Sequence, residues 1–184
     1  KQQLYHRGLN VNLHGPFQNL NIQTALAALE VWQLHHDRHL SFKAIEKGWG
    51  NLRSLTRYQG RWQWISRKPR ILVDSAHNEG GLRAILDHLK GMGGQLHIVI
   101  GVVKDKQLDD ILPFFPTDAR YYFAKAQVPR GLPAKDLQEA AARFSLQGRT
   151  YVSVRNALRA AKRAAQEADT IFVGGSIFTV AEVL

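Results

Sequence analysis

Cysteine is absent from the 184 residues, which excludes a disulfide framework, a thiolate metal site and a cysteine nucleophile. No apolar run approaches the ~20 residues that a membrane-spanning helix needs. Lys1 to His6 offers neither an initiator Met nor an apolar stretch, so no secretory signal is read there. The expectation is a cytoplasmic protein with no membrane partner. No Walker A loop is present, so a phosphate-binding loop, if ATP is used, lies outside this sequence. Acidic residues are also scarce, 15 against 25 Lys/Arg, for a net charge of +10.

That surplus raises the question of nucleic-acid binding, and position answers it. Residues 1–70 hold 11 Lys/Arg against Glu30, Asp37 and Glu46, a net of +8, whereas residues 71–184 carry only +2. Arg53, Arg57, Arg61, Arg67, Lys68 and Arg70 follow one another with no carboxylate among them. A single basic segment beside a nearly balanced remainder, with no nucleic-acid motif, argues against a nucleic-acid partner. A composition 45% hydrophobic and 22% charged is that of a globular chain, not a disordered one.

Ile22, Ala25, Leu26, Leu29 and Trp32 recur at helical spacing and predict an amphipathic helix over Asn21–His36, with Asn19 or Asn21 as its cap. A second short helix is predicted from Ser41 to Gly48. Gly50 to Arg70 reads as an irregular basic hinge that ends in a short strand at Trp62–Ile65. From there strands and helices alternate. Strands are predicted at Ile71–Val73, Leu96–Val102, Tyr121–Ala124, Thr150–Val152 and Thr170–Val173. Helices are predicted at Asn78–Lys90, Lys106–Leu112, Ala134–Phe144, Val154–Glu167 and Ser176–Val183. This rhythm implies an α/β fold, a Rossmann-like, mostly parallel sheet with helices on both faces.

Ligands gather at the carboxyl ends of strands in such a sheet, so the residues just after each strand carry the interest. Asp74-Ser75-Ala76-His77-Asn78 places a carboxylate, an imidazole and an amide at one strand–helix turn, where a helix start also favours an anion. The plain alternative is a strand end followed by Asn78 as a helix cap. Lys104-Asp105-Lys106 is either a solvated turn or a point charge for a carboxylate or phosphate. Gly174-Gly175-Ser176 is either a turn with Ser176 as cap or a close backbone approach to a ligand, and it lacks the third glycine of a dinucleotide fingerprint. Gly91-Met92-Gly93-Gly94 reads as a helix end and turn. Arg61 is either a solvated hinge charge or a bidentate polyphosphate ligand. His35, His36 and His39 read as a helix end, since no carboxylate or Cys completes a metal set.

Taken in order, these motifs resemble the folylpolyglutamate synthase / dihydrofolate synthase family of the Mur ligase superfamily. Leu13 to Ala25 is similar to its G-x-H-Q-x-x-N-A segment, with Gln18 and Asn21 in register and Phe17 where His is usual. Gly60-Arg61-Trp62-Gln63 resembles G-R-x-E with Gln for Glu, and Asp74 to Asn78 is close to D-G-A-H-N. Asp105-Lys106-Gln107 resembles D-K-D except at its last position, and Pro129-Arg130 and Gly175 to Glu182 resemble the closing P-R and G-S-x-x-x-x-A-E motifs.

The resemblance implies the C-terminal part of an ATP-dependent ligase. Residues 1–50 would be the helical tail of a central ATPase domain, 51–66 a basic hinge, and 67–184 the C-terminal glutamate ligase domain. It implies addition of L-glutamate to dihydropteroate or reduced folate polyglutamates through an acyl phosphate. ATP and Mg²⁺ would serve, with metal ligands in an upstream domain and none assigned here. Arg61 and His77 would be catalytic. Asn21, Arg61, Asp74 and His77 would bind the nucleotide, Asp74 at ribose hydroxyls, and Ser176 and Lys106 would hold the glutamate carboxylate. The complete enzyme would be a monomer and this piece inactive alone. The alternatives are another Mur-type amino-acid ligase of cell-wall synthesis, or a basic nucleic-acid-binding module.

Overall fold

A computed structural model describes residues 8–184, so the reading of Lys1–His6 and the first seven residues of the 1–50 segment lie outside the described residues. The backbone divides into two compact units between Gln59 and Gly60.

The first unit is helical. α1 spans Gln18–His35, α2 Phe42–Gly50 and α3 Leu52–Thr56. Ser41 caps α2, its hydroxyl accepting from the Ala44 amide. α1 begins earlier than its sequence suggests: Phe17 stands at the N-cap, so Asn19 and Asn21 lie inside the helix. The turn starts at Gly15, whose carbonyl accepts from the Gln18 amide at 3.1 Å. The apolar stripe is also thinner than predicted: Leu26 is buried and Ile22 and Leu29 are half-buried, while Ala25 and Trp32 are exposed. α3 falls in a stretch read as irregular hinge.

The second unit is a six-stranded sheet. Its strands are β1 Gln63–Arg67, β2 Arg70–Asp74, β3 Leu96–Ile100, β4 Arg120–Ala124, β5 Gly148–Tyr151 and β6 Thr170–Gly174. Their order across the sheet is β1-β2-β6-β3-β4-β5. β1 pairs antiparallel with β2 as an edge hairpin, and every other pairing is parallel. The helices are α4 Glu79–Lys90, α5 Ala134–Ala142, α6 Val154–Ala164 and α7 Ile177–Ala181. The mostly parallel α/β fold expected from the alternation of elements is what forms.

Strand alternation and crossover handedness place the helices. The connections from β2 through α4 and from β4 through α5 run one way across the sheet, and that from β5 through α6 runs back. With right-handed crossovers, α6 therefore lies on the face opposite α4 and α5. Ile71, Val73, Val99, Tyr122, Ile171 and Val173 form one buried cluster with Val154, Ala157, Leu158 and Ala161 of α6 and with Val180 of α7. Leu72, Ile98, Ile100, Phe123 and Phe172 alternate to the other side and are equally buried. α4 turns Leu82, Ile85, Leu86 and Leu89, one helical stripe, inward.

One predicted helix is absent. Residues 106–112 form no α-helix; two 3₁₀ turns, Leu108–Asp110 and Leu112–Phe114, take the place. Pro113 stands near the start of the second turn, where its missing amide donor costs no helical bond.

Candidate functional site

The strand register levels the carboxyl ends of three neighbours, with Asp74 beside Gly174 and Gly174 beside Ile100. The chain leaves β2 toward α4 on one face, while α7 after β6 carries Val180 into the cluster on the other. The boundary between β2 and β6 is thus a topological switch point, where open parallel sheets form a ligand crevice. Asp74, Ser75, Ala76 and His77 flank it from one side, and Gly175 and Ser176 from the other.

Asp74 is the centre of the first flank. Its side chain has no exposed surface; Oδ2 accepts from the Trp62 amide at 2.7 Å and Oδ1 from the Ala76 amide at 2.6 Å. Arg61 Nη1 lies 3.6 Å from Oδ1, and the Gly60 carbonyl accepts from the Ser75 amide at 2.8 Å. Burial raises the Asp74 carboxyl above the ordinary carboxylate range, against the pull of the two amides and of Arg61. Both oxygens face inward, each accepting from one backbone amide. Asn78 caps α4, accepting from the Gly81 amide at 2.9 Å, as the plain reading held. His77 stands exposed beside it, with Nδ1 3.2 Å from the Ser75 carbonyl oxygen.

Arg61 is 29% exposed at its side chain, buried enough to be held and open enough to reach a ligand. Trp62, beside it, has φ +44°, a left-handed conformation that costs a bulky residue energy. Its ring is buried edge-on against His88 with centroids 4.9 Å apart. Gly60, at φ +77°, closes the turn where a Cβ would come within 2.8 Å of Val180 Cγ1. Sequence reasoning passed over Trp62, and only its place beside Arg61 in a turn opened by glycine hinted at it.

On the second flank Gly175 takes φ +99°, and a Cβ there would meet the Gly101 carbonyl oxygen at 2.6 Å. The close approach is thus to the neighbouring strand end. Ser176 caps α7, its Oγ accepting from the Thr179 amide at 3.1 Å and lying 2.8 Å from Thr179 Oγ1. Thr179 Oγ1 in turn donates to the Gly101 carbonyl at 2.7 Å. Ser176 is buried, so its hydroxyl is occupied by the helix start it was also read as capping.

The loops after β3 and β4 are joined. Asp105 and Arg130, from two separate motifs, pair at 2.6 Å, and the Lys104 amide donates to the Arg130 carbonyl at 2.9 Å. Arg130 lies over the Phe178 ring of α7 at 5.8 Å. Lys106 is half-buried in this turn and its amide donates to Val103 O at 3.1 Å. The second unit thus brings Arg61, Asp74, His77, Lys106 and Ser176 to one edge of one sheet. Asn21 belongs to the first unit, exposed on α1, with Nδ2 donating to Gln18 Oε1 at 3.2 Å.

Among the described residues no group of three or more His, Cys, Asp or Glu stands together as a metal set. No helix among them is long and apolar enough to cross a membrane.

The family described as Mur ligase, glutamate ligase domain, matches residues 60–177. The dihydrofolate synthase/folylpolyglutamate synthase of Escherichia coli is 32% identical over 182 residues, covering 93% of this chain and 40% of the relative. That of Bacillus subtilis is 25% identical over 138 residues, 73% of this chain and 31% of its own length. The solved structure of the Escherichia coli enzyme in complex with DHPP and ADP matches with a TM-score of 0.70 and 32% identity, covering 87% of this chain and 36% of that one. A Yersinia pestis bifunctional folylpolyglutamate synthase/dihydrofolate synthase complexed with AMPPNP and a Mn ion gives 0.74 at 28% identity, over 97% and 40%. The chain therefore spans about two fifths of the length of such relatives.

Proposed function

The chain belongs to the Mur ligase family through its glutamate ligase domain, and from that premise we propose that it is the glutamate-adding part of a cytoplasmic, ATP-dependent folate ligase. The observation that carries this reading is the edge where Arg61, His77 and Ser176 flank the β2–β6 switch point. Its relatives are folate synthases, which favours a pterin acceptor over a cell-wall precursor. The acceptor is dihydropteroate or a reduced folate polyglutamate, the donor amine is L-glutamate, and the complete enzyme works as a monomer.

A carboxylate oxygen of the pterin substrate attacks the γ-phosphorus of ATP, the bond to the β-phosphate oxygen breaks, and ADP leaves. The amine of L-glutamate then attacks the carbonyl carbon and loses a proton. The carbon–oxygen bond to phosphate breaks, and inorganic phosphate departs with one oxygen of the original carboxylate. Arg61 supplies positive charge as the γ-phosphoryl group moves. His77, exposed on the β2–α4 turn, meets the phosphates or the entering glutamate. Lys106 offers a point charge to the glutamate carboxylate, and the capped turn at Ser176 faces the same group. Asn21 keeps its assignment to the nucleotide on the resemblance alone. Mg²⁺, where it serves, would be held by residues of an upstream domain.

An oxygen-label experiment tests the scheme. With a pterin acceptor labelled with ¹⁸O in its reacting carboxylate, one labelled oxygen is expected in the released phosphate. Glutamate addition without label transfer would overturn the acyl-phosphate route.

A further inference from the structure

A groove of about 330 Å³ lies between α6 and the turn that follows α7. Arg155, Arg159 and Lys162 line it from α6 together with Leu158, and Glu182 and Val183 close it from the other side. We propose that this groove holds the γ-linked oligoglutamate tail of a polyglutamylated acceptor. The identity of the tail rests on the ligase reading; the groove itself does not.

The cations of the groove have no carboxylate partners. α6 carries Arg155, Arg159, Lys162 and Arg163 with no acid from Val154 to Ala164. Arg83 of α4 and Lys135 of α5 each pair with a glutamate one turn away on their own helix. Arg155, Arg159 and Lys162 are all exposed, and none enters an ion pair among the described residues. Glu182, the one side-chain carboxylate on the lining, accepts from the Gln127 amide. Arg155 Nε donates to the Glu182 carbonyl at 2.7 Å, which holds that guanidinium at the head of the groove. Like charges one helical turn apart oppose each other, and an anionic ligand relieves that repulsion.

The row of cations also has a direction and a spacing. α6 starts just after β5 and returns antiparallel to the strands, so Arg155 lies nearest the carboxyl edge of the sheet, with Arg159 about 6 Å and Lys162 about 10 Å further back. Gln127, in the loop after β4, joins the head of the groove to that edge. Its backbone amide holds Glu182, and its side-chain Nε2 donates to the Val152 carbonyl at 2.8 Å. Each γ-glutamyl unit adds five backbone bonds, about 6 Å when extended, and one free carboxylate, which matches one turn of α6. Its two methylenes suit the apolar floor of Leu158 and Val183. Each addition leaves the reacting end at the sheet edge, so earlier residues of the tail pass out from it, and the groove begins one helical turn behind. The lining offers no aromatic side chain on which a nucleic-acid base could stack.

Binding of free γ-linked pentaglutamate, without a pterin, to the 184-residue chain tests the groove. The Nε–H resonances of Arg155 and Arg159 should shift, and affinity should fall as salt rises. Arg159→Ala combined with Lys162→Ala, at exposed positions where alanine favours the helix, should weaken binding about tenfold or more. α-Linked pentaglutamate has the same side-chain charge on a shorter backbone repeat and should bind at least about threefold more weakly. In the complete ligase the double variant should raise the ratio of KM for a pentaglutamylated over a monoglutamylated acceptor about fivefold. Equal affinity for the two linkages marks a nonspecific cationic surface and overturns the proposal. So do an unchanged KM ratio and a wild-type ligase that refuses the pentaglutamylated acceptor. A wild-type enzyme that adds glutamate to no acceptor contradicts the ligase reading instead, and the binding result on the chain is read without it.

Discussion

Arg61 sits between a buried carboxylate and the edge where substrates would arrive, with 29% of its side chain exposed. If it stabilises charge on the moving phosphoryl group, Arg61→Ala in the complete enzyme should lower turnover by about a hundredfold or more, measured as kcat. Unchanged kinetics would return Arg61 to the class of solvated hinge charges. Individual residues were also where sequence reading ran out. Asp74, His77 and Asn78 were visible as a cluster at a strand–helix turn, and Asn78 as a cap. Which way Asp74 would face was not, because inward and outward orientations at a strand end depend on a partner twelve residues earlier in the chain, the amide of Trp62.

At the scale of elements, α7 shows how one residue serves two readings. Ser176 was legible both as a cap and as a ligand residue, and its hydroxyl accepts from Thr179 N–H at 3.1 Å. Ser176→Ala should cost about 1 kcal/mol in denaturant unfolding through the lost cap, and in the complete enzyme it should raise KM for glutamate. A stability loss with KM unchanged would assign Ser176 to the cap alone. At the opposite edge of the sheet, His97 of β3 lies buried between the Tyr122 hydroxyl at 2.9 Å and Asp169 at 3.3 Å. Burial lowers the His97 pKa, with Asp169 opposing and Arg120 assisting. Hydrogen bonds donated by backbone amides, that of Gln166 foremost and that of Gln95 next, lower the Asp169 pKa despite its burial, with His97 adding to the effect. Below pH ~6.5 the unfolded chain takes up a proton that folded His97 declines, and below ~3.9 Asp169 adds the same trend. Stability should therefore fall on acidification from pH 7 toward 5, and His97→Gln should flatten that slope. Denaturant midpoints across this range check the prediction; a midpoint that rises in acid would contradict it.

Over the whole molecule, the order of strands and helices was legible because long periodic segments and turn residues agree. The parallel sheet and its carboxyl edge followed from that order. In place of the predicted helix over 106–112 stand two 3₁₀ turns, Leu108–Asp110 and Leu112–Phe114. α3 and the early start of α1 lay in segments whose sequence carries little periodicity. The +10 charge, which first suggested nucleic acid, is concentrated where residues 1–70 carry +8. ATP, glutamate and folate polyglutamates are anions, so a basic segment suits them as ligands. Labelled L-glutamate tests most directly whether this sequence belongs to a glutamate-adding ligase. The complete polypeptide that carries this sequence, given ATP, should transfer label onto dihydropteroate or tetrahydrofolate, and should stop when ATP is omitted. The 184-residue chain alone should transfer none. Absence of label on both acceptors with the complete polypeptide, or transfer that does not need ATP, would contradict the account.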